Sequence, residues 1–258
     1  MLSITNRSLF RAGAFALTLI PFTFSSGQQP SAAPAAATTR YSVTVVRIKP
    51  DMLNEWLDLQ RNEVIPAQKK AGVKERTILQ TTVGNSFEYT ILTPYPSFAA
   101  MDNPGANERA LGAEAAARLA AKLRKCIDQQ RSFLSTRQED MNIPAPNATA
   151  NRLIVRRVMP GKQQEALDFV RTEFFPAFKK AKADGKIAGF SVWTRGVGAQ
   201  AGEMTINIAY NKFADMDAGF PPTLVLGQAA VTKLNAKLDT LSTAVQQNIR
   251  RRVADLSF

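Results

Sequence analysis

A chain of 258 residues with 45% hydrophobic content has room for two globular domains of ordinary size. It has no histidine and a single cysteine, Cys126. That excludes imidazole ligation of a metal or haem, Ser-His and Cys-His nucleophile pairs, and an intramolecular disulfide. The net charge of +12 at pH 7 suits an anionic partner or simply a soluble basic surface.

Residues 1–27 read as a secretory signal. Arg7 and Arg11 precede the apolar run Ala12 to Phe24, and Ser25-Ser26-Gly27 offers the small residues a signal peptidase needs. The run is too short to span a bilayer, which takes about 20 residues, so no stable membrane span is expected after cleavage. An uncleaved anchor is the competing assignment. Residues 28–39, rich in Ala, Pro, Ser and Thr, read as a disordered tether. The expected location is therefore periplasmic or extracellular. Anionic envelope polymers then suit the basic balance better than nucleic acid does, and no nucleic-acid partner is expected. Lys179-Lys180, Lys182, Lys186 and Arg250-Arg251-Arg252 are the basic clusters.

Ser42 to Ile48 is β-branched and reads as a strand. Pro50-Asp51 then opens a helix whose stripe runs through Leu53, Leu57, Gln60, Val64, Ala67 and Ala71. Pro66 removes a backbone donor inside it and predicts a kink. Thr77 to Val83 and Phe87 to Thr93 read as strands, Phe98 to Met101 as a short helix, and Arg109 to Lys125 as one long helix. A last strand is expected near Ser132 to Gln138. Cys126 falls in the long helix, as a small buried apolar side chain.

The pattern then returns. Pro160 to Ala181 matches Pro50 to Ala71 at eleven identical positions, Glu55/Glu165, Asp58/Asp168, Arg61/Arg171, Glu63/Glu173 and Pro66/Pro176 among them. Leu153 to Val158 precedes it as a strand, and Leu167, Val170, Phe174, Ala177 and Ala181 repeat the stripe. Glu88-Tyr89-Thr90-Ile91 returns as Glu203-Met204-Thr205-Ile206 and Tyr95 as Tyr210, now 115 residues on instead of 110. The five extra residues are expected in the glycine-rich hairpin loop Arg195 to Gly202. Phe190 to Arg195 and Met204 to Ala209 read as strands, with a final one near Asn248 to Leu256. A period near 110 is too long for a solenoid unit and implies a duplicated domain.

The predicted fold is α+β: two tandem ferredoxin-like (βαββαβ) repeats, residues 40–142 and 151–258, joined by a linker at 143–150. Each repeat leaves one sheet face bare, so the two should pack sheet to sheet as an intramolecular α/β barrel. The chain should be a monomer with pseudo-dimeric repeats. The element order and the Glu-x-x-Pro-Ala-x-Lys-Lys-Ala pattern resemble the dimeric α/β barrel superfamily and, within it, NIPSNAP-type domains. That superfamily includes cofactor-independent monooxygenases, haem-binding enzymes, isomerases and domains without activity, so the resemblance implies a fold and leaves the chemistry open.

Arg47 and Arg157 sit at matching strand ends on the faces of Val45 and Val155. If those faces line the barrel, two guanidiniums could grip a carboxylate or phosphate; otherwise they are strand-end surface charges. Trp193, unmatched in the first copy, and Tyr89 are the aromatic candidates for a pocket lining. By position Trp193 and Arg195 stand where the first copy has Thr81 and Val83. Glu88 and Thr90 share one strand face, Tyr89 and Ile91 the other. Glu63 and Glu173, beside the prolines, read as solvated or salt-bridged. No metal-ligand spacing, phosphate loop or nucleophile constellation stands out, so no cofactor, metal or catalytic residue is assigned. The function expected is binding of a small anionic or amphipathic molecule. A cofactor-independent monooxygenase or isomerase and a scaffold for envelope polymers are the alternatives.

Overall fold

The computed structural model describes residues 39–258. The expected signal peptide, and the expected tether apart from Thr39, lie outside the described residues. The chain runs β1 (Thr39–Ile48), α1 (Leu53–Leu59), α2 (Ile65–Lys70), β2 (Thr77–Val83), β3 (Glu88–Pro94), α3 (Ala106–Leu111), α4 (Ala113–Cys126) and β4 (Ile127–Ile143). It continues with β5 (Ala150–Val158), α5 (Gln163–Phe169), α6 (Phe175–Ala183), β6 (Gly189–Arg195), β7 (Glu203–Tyr210), α7 (Pro221–Leu226), α8 (Gln228–Leu241) and β8 (Ser242–Arg252).

The eight strands close into one antiparallel barrel in the order β1-β3-β2-β8-β5-β7-β6-β4. Within it the first four strands lie in the order β4-β1-β3-β2 and the last four as β8-β5-β7-β6, the same permutation. The two groups meet through β2 on β8 and β4 on β6. Two sheets stacked face to face would have left four edges open. Pairing along both seams leaves no barrel strand with an unmatched ladder.

The two larger apolar cores lie outside the barrel, under the helices, and a smaller one of Tyr41, Val43, Val45 and Phe133 lies inside it. Strand alternation sends Val46, Ile48, Ile78 and Tyr89 outward against Trp56 and Leu119. Phe190, Val192, Met204 and Ile206 meet Phe174, Phe178 and Leu238 in the same way. Trp56 and Tyr89 rings approach to 4.7 Å, and Phe178 stacks on Phe190 at 4.0 Å. Each such side chain contributes about 1.5–3 kcal/mol by leaving water.

Several local expectations are corrected. A π-turn, Gln60–Val64 and again Val170–Phe174, precedes Pro66 and Pro176, so each helix changes course before its proline. The wider turn also shifts the first buried stripe to Trp56, Leu59, Gln60, Val64, Ile65 and Ala67, leaving Leu53 and Leu57 only partly covered. The single helix expected over Arg109 to Lys125 is two, because Gly112 turns left-handed at φ 81° and ends α3. Only glycine adopts that conformation without strain. The last strand of each half starts earlier than expected, at Ile127 and Ser242. Gln129 and Gln130 pair with Arg47 and Val46 of β1 while their side chains stay exposed, so no apolar alternation announces them.

The five extra residues are also placed differently. Leu79 pairs with Thr90, and Trp193 pairs with Thr205. Leu79 is therefore the counterpart of Trp193, an offset of 114. Four extra residues thus fall between α6 and β6, where α6 runs on to Ala183 while α2 stops at Lys70. One falls in the hairpin.

Candidate functional site

The barrel is hollow. Residues of β1 alternate between the helices and the interior, so Tyr41, Val43 and Val45 face a cavity of about 490 Å³. Small-molecule sites are typically about 300–1,000 Å³.

The two halves line this cavity differently. Val43 of β1 stands directly between Leu92 of β3 and Phe133 of β4, which makes an apolar strip across three strands. On the other side Asn151 of β5 stands opposite Arg250 of β8, and Asn207 of β7 donates its amide to Asn151 Oδ1 at 3.2 Å. Register sets the counterparts. Within the wall Leu92 matches Asn207, Tyr41 matches Asn151 and Ser135 matches Arg250, whereas the matches of Phe133 and Arg195, Asn248 and Thr81, do not line it. At these positions the first half presents apolar or small side chains and the second half amides and guanidiniums.

Arginines dominate the charge. Arg250 Nη2 meets Glu88 Oε1 at 3.2 Å, and Arg195 Nη1 meets Glu203 Oε2 at 2.9 Å. Arg195 also donates through Nε to Thr205 Oγ1 at 2.9 Å and lies over the Phe133 ring. Arg137 pairs with Glu139 at 3.0 Å and covers the rings of Tyr41 and Trp193. Tyr41 and Trp193 meet edge to face at 5.0 Å, and Trp193 Nε1 donates to Ser191 Oγ at 2.8 Å. Burial pulls the Arg250 guanidinium down to about 10 against the opposing pull of Glu88, and it lowers Arg195 as well. At pH 7 Arg250 still carries its charge. Burial also pushes the Tyr41 phenol upward.

Three polar atoms of the wall have no partner among the described residues: Arg250 Nε, Thr90 Oγ1 and Asn207 Oδ1. Arg250 and Thr90 are 4% and 3% exposed.

Of the four residues expected from sequence, Trp193 lines the cavity. Arg47 lies on the inward face but one step past Val45, half exposed, with Asp128 at 3.4 Å. Arg157, also half exposed, bonds Gln200 and has Glu203 at 3.8 Å. Tyr89 faces the helices and packs on Trp56. Arg47, Arg157 and Tyr89 do not line the cavity. Arg195, Arg250, Asn151 and Asn207 do, and none of these is among the site residues expected from sequence. One signal was available: in an alternating strand, Arg250 and Arg252 must share a face that Arg251 does not. Both line the cavity, while Arg251 lies over the Phe213 ring. The basic run is thus two-thirds interior.

No protein-family model and no curated protein sequence matches the chain. Solved structures do. An anthrone oxidase-like protein superposes with a TM-score of 0.57 at 11% identity, over 84% of this chain and 92% of that one. A proposed monooxygenase from Fusobacterium nucleatum gives 0.57 at 12%, over 85% and 94%. A proposed monooxygenase from Lactobacillus acidophilus gives 0.53 at 11%, over 86% and 96%. At such identities the likeness is one of fold: this chain is an α/β barrel of their kind.

Proposed function

We propose that this chain is an exported protein of two tandem ferredoxin-like repeats whose shared barrel binds a small anionic or amphipathic molecule. The observation that carries the binding role is Arg250, a buried guanidinium in the cavity wall whose Nε has no partner. A buried donor left unmade costs about 1–3 kcal/mol. A carboxylate or phosphate would remove that cost and use the planar fork. Trp193, Tyr41 and Phe133 supply the apolar contact. The repeat reading is supported by the common strand permutation together with the eleven identities in the first helix. The export reading is supported by the sequence of residues 1–27, and N-terminal sequencing of the mature protein tests it.

Catalysis without a cofactor is the second reading, favoured by solved structures of this fold that are proposed monooxygenases. Such chemistry needs a base at the substrate. Glu88 and Glu203 are tied to Arg250 and Arg195, which leaves Glu75 in the cavity wall without an ion pair among the described residues. Haem, implied by other members of the superfamily, does not fit. The cavity wall holds no His, Cys or Met, and Tyr41 is biased toward its neutral phenol by burial.

Native mass spectrometry of the protein purified from its own export compartment, followed by calorimetry with the molecule found, tests the binding role. One small molecule per chain, held less tightly as salt rises, is the expected result. A protein that carries nothing and binds no anion would overturn it.

A further inference from the structure

The internal near-symmetry of the barrel would give a ligand two equivalent ways to sit. The residues of the wall remove that choice. The first half offers Leu92, Val43 and Phe133 as adjacent cross-strand neighbours. The second offers Asn151 directly opposite Arg250, with Asn207 on the next strand opposite Leu153 and reaching diagonally to hydrogen-bond Asn151. At the usual strand spacing each strip is about 10 Å wide. One strip can take only apolar surface. The other carries an unpartnered donor, Arg250 Nε, and an unpartnered acceptor, Asn207 Oδ1.

Charge sets the sign. Five arginines line the wall: Arg131, Arg137, Arg195, Arg250 and Arg252. Glu139, Glu203 and Glu88 pair with three of them. Arg131 and Arg252 have no ion pair among the described residues, so the wall favours an anionic group. Volume sets the size: about 490 Å³ is the liquid share of about 16 waters, enough for a bicyclic acid. The rings of Phe133, Trp193 and Tyr41 favour a ring over a flexible chain.

We propose that the barrel takes one flat aromatic monocarboxylate per chain in a single orientation, its polar edge along Asn207, Asn151 and Arg250 and its ring face on Leu92, Val43 and Phe133. The proposal rests on the reading of the cavity as a binding site and adds the ligand class, the stoichiometry and the orientation.

Titration calorimetry with 2-naphthoate tests it, beside 2-naphthylmethanol as the uncharged analogue and decanoate as a flexible monoanion. The expected result is one naphthoate per chain, bound at least about tenfold more tightly than the alcohol, as a charge-assisted hydrogen bond implies, and more tightly than decanoate, whose flexible chain loses more freedom on binding and offers no ring face. The paired variant Glu88→Gln with Arg250→Gln removes one charge of each sign and should weaken naphthoate about 10- to 100-fold while hardly changing the alcohol. If that variant does not fold, Asn207→Leu, which installs the residue of the matching first-half position, should weaken 6-hydroxy-2-naphthoate more than naphthoate. Two equivalent naphthoates per chain, or an alcohol bound as tightly as the acid, would overturn the proposal. Decanoate binding alone would sink the aromatic class and leave the binding site standing. Failure of every probe, with nothing copurifying, would remove the binding site itself.

Discussion

The Glu88–Arg250 pair gives the sharpest test of how this barrel tolerates charge inside it. The two side chains are 15% and 5% exposed and meet at 3.2 Å. At an effective dielectric of 20 that separation corresponds to about 5 kcal/mol of attraction. Glu88→Gln removes the carboxylate and leaves a buried guanidinium whose protonation burial already opposes. Breaking a buried pair from one side costs about 3–5 kcal/mol, which for a domain of this size lowers the melting temperature by roughly 6–20 °C. Removing Arg250 as well leaves no bare charge, and the double variant should return to within about 1–2 kcal/mol of the parent. Urea unfolding followed by circular dichroism measures all three proteins and yields the coupling energy directly. A single variant that loses less than about 1 kcal/mol, or a double variant as damaged as the single, would refute the claim that this pair is buried and mutually dependent.

Three further outcomes follow from the packing and the pKa shifts. Phe178→Ala removes a ring that is 2% exposed and stacked on Phe190; it should cost about 3–5 kcal/mol in urea unfolding, and a loss under about 1 kcal/mol would mean the second core is not packed as described. Gly198 holds φ 87°, and a Cβ there would stand 2.5 Å from the Ser132 carbonyl oxygen, so Gly198→Ala should destabilise by about 1–3 kcal/mol, with an unchanged melting temperature counting against the hairpin geometry. Burial pushes the Tyr210 phenol up to about 12, above the ordinary phenol range near 10. A raised folded-state pKa means stability that is fully present below pH 10 and is lost as the pH climbs through 12. Tyr210→Phe should therefore gain on the parent by up to about 3 kcal/mol between pH 9 and 12, and a difference that stays flat would show that the phenol is not desolvated.

The sequence by itself determined the element order, because period-two and helical spacing are local properties of the chain. Glu88 and Thr90 read as a same-face pair, and they are one: Thr90 lines the cavity and Glu88 meets Arg250 of its wall. The internal match from Pro50 to Ala71 with Pro160 to Ala181 gave the grounds for expecting a closed barrel, and the chain is one. What tertiary structure decided was where each strand sits along its neighbours. Arg47 and Arg195 are both inward-facing residues near a strand end. Register carries Arg195 over Phe133 and into the cavity, while Arg47 passes the last cavity residue and pairs with Asp128 in solvent. A shift of two residues keeps a side chain on the same face, so alternation is blind to it. The same blindness placed Thr81 opposite Trp193, where pairing with Thr90 puts Leu79. Arg250 and Asn207 became visible as a site only once β8 and β7 were laid on either side of β5, because hydrogen bonds between residues far apart in the chain, and not the chain's own periodicity, bring them together.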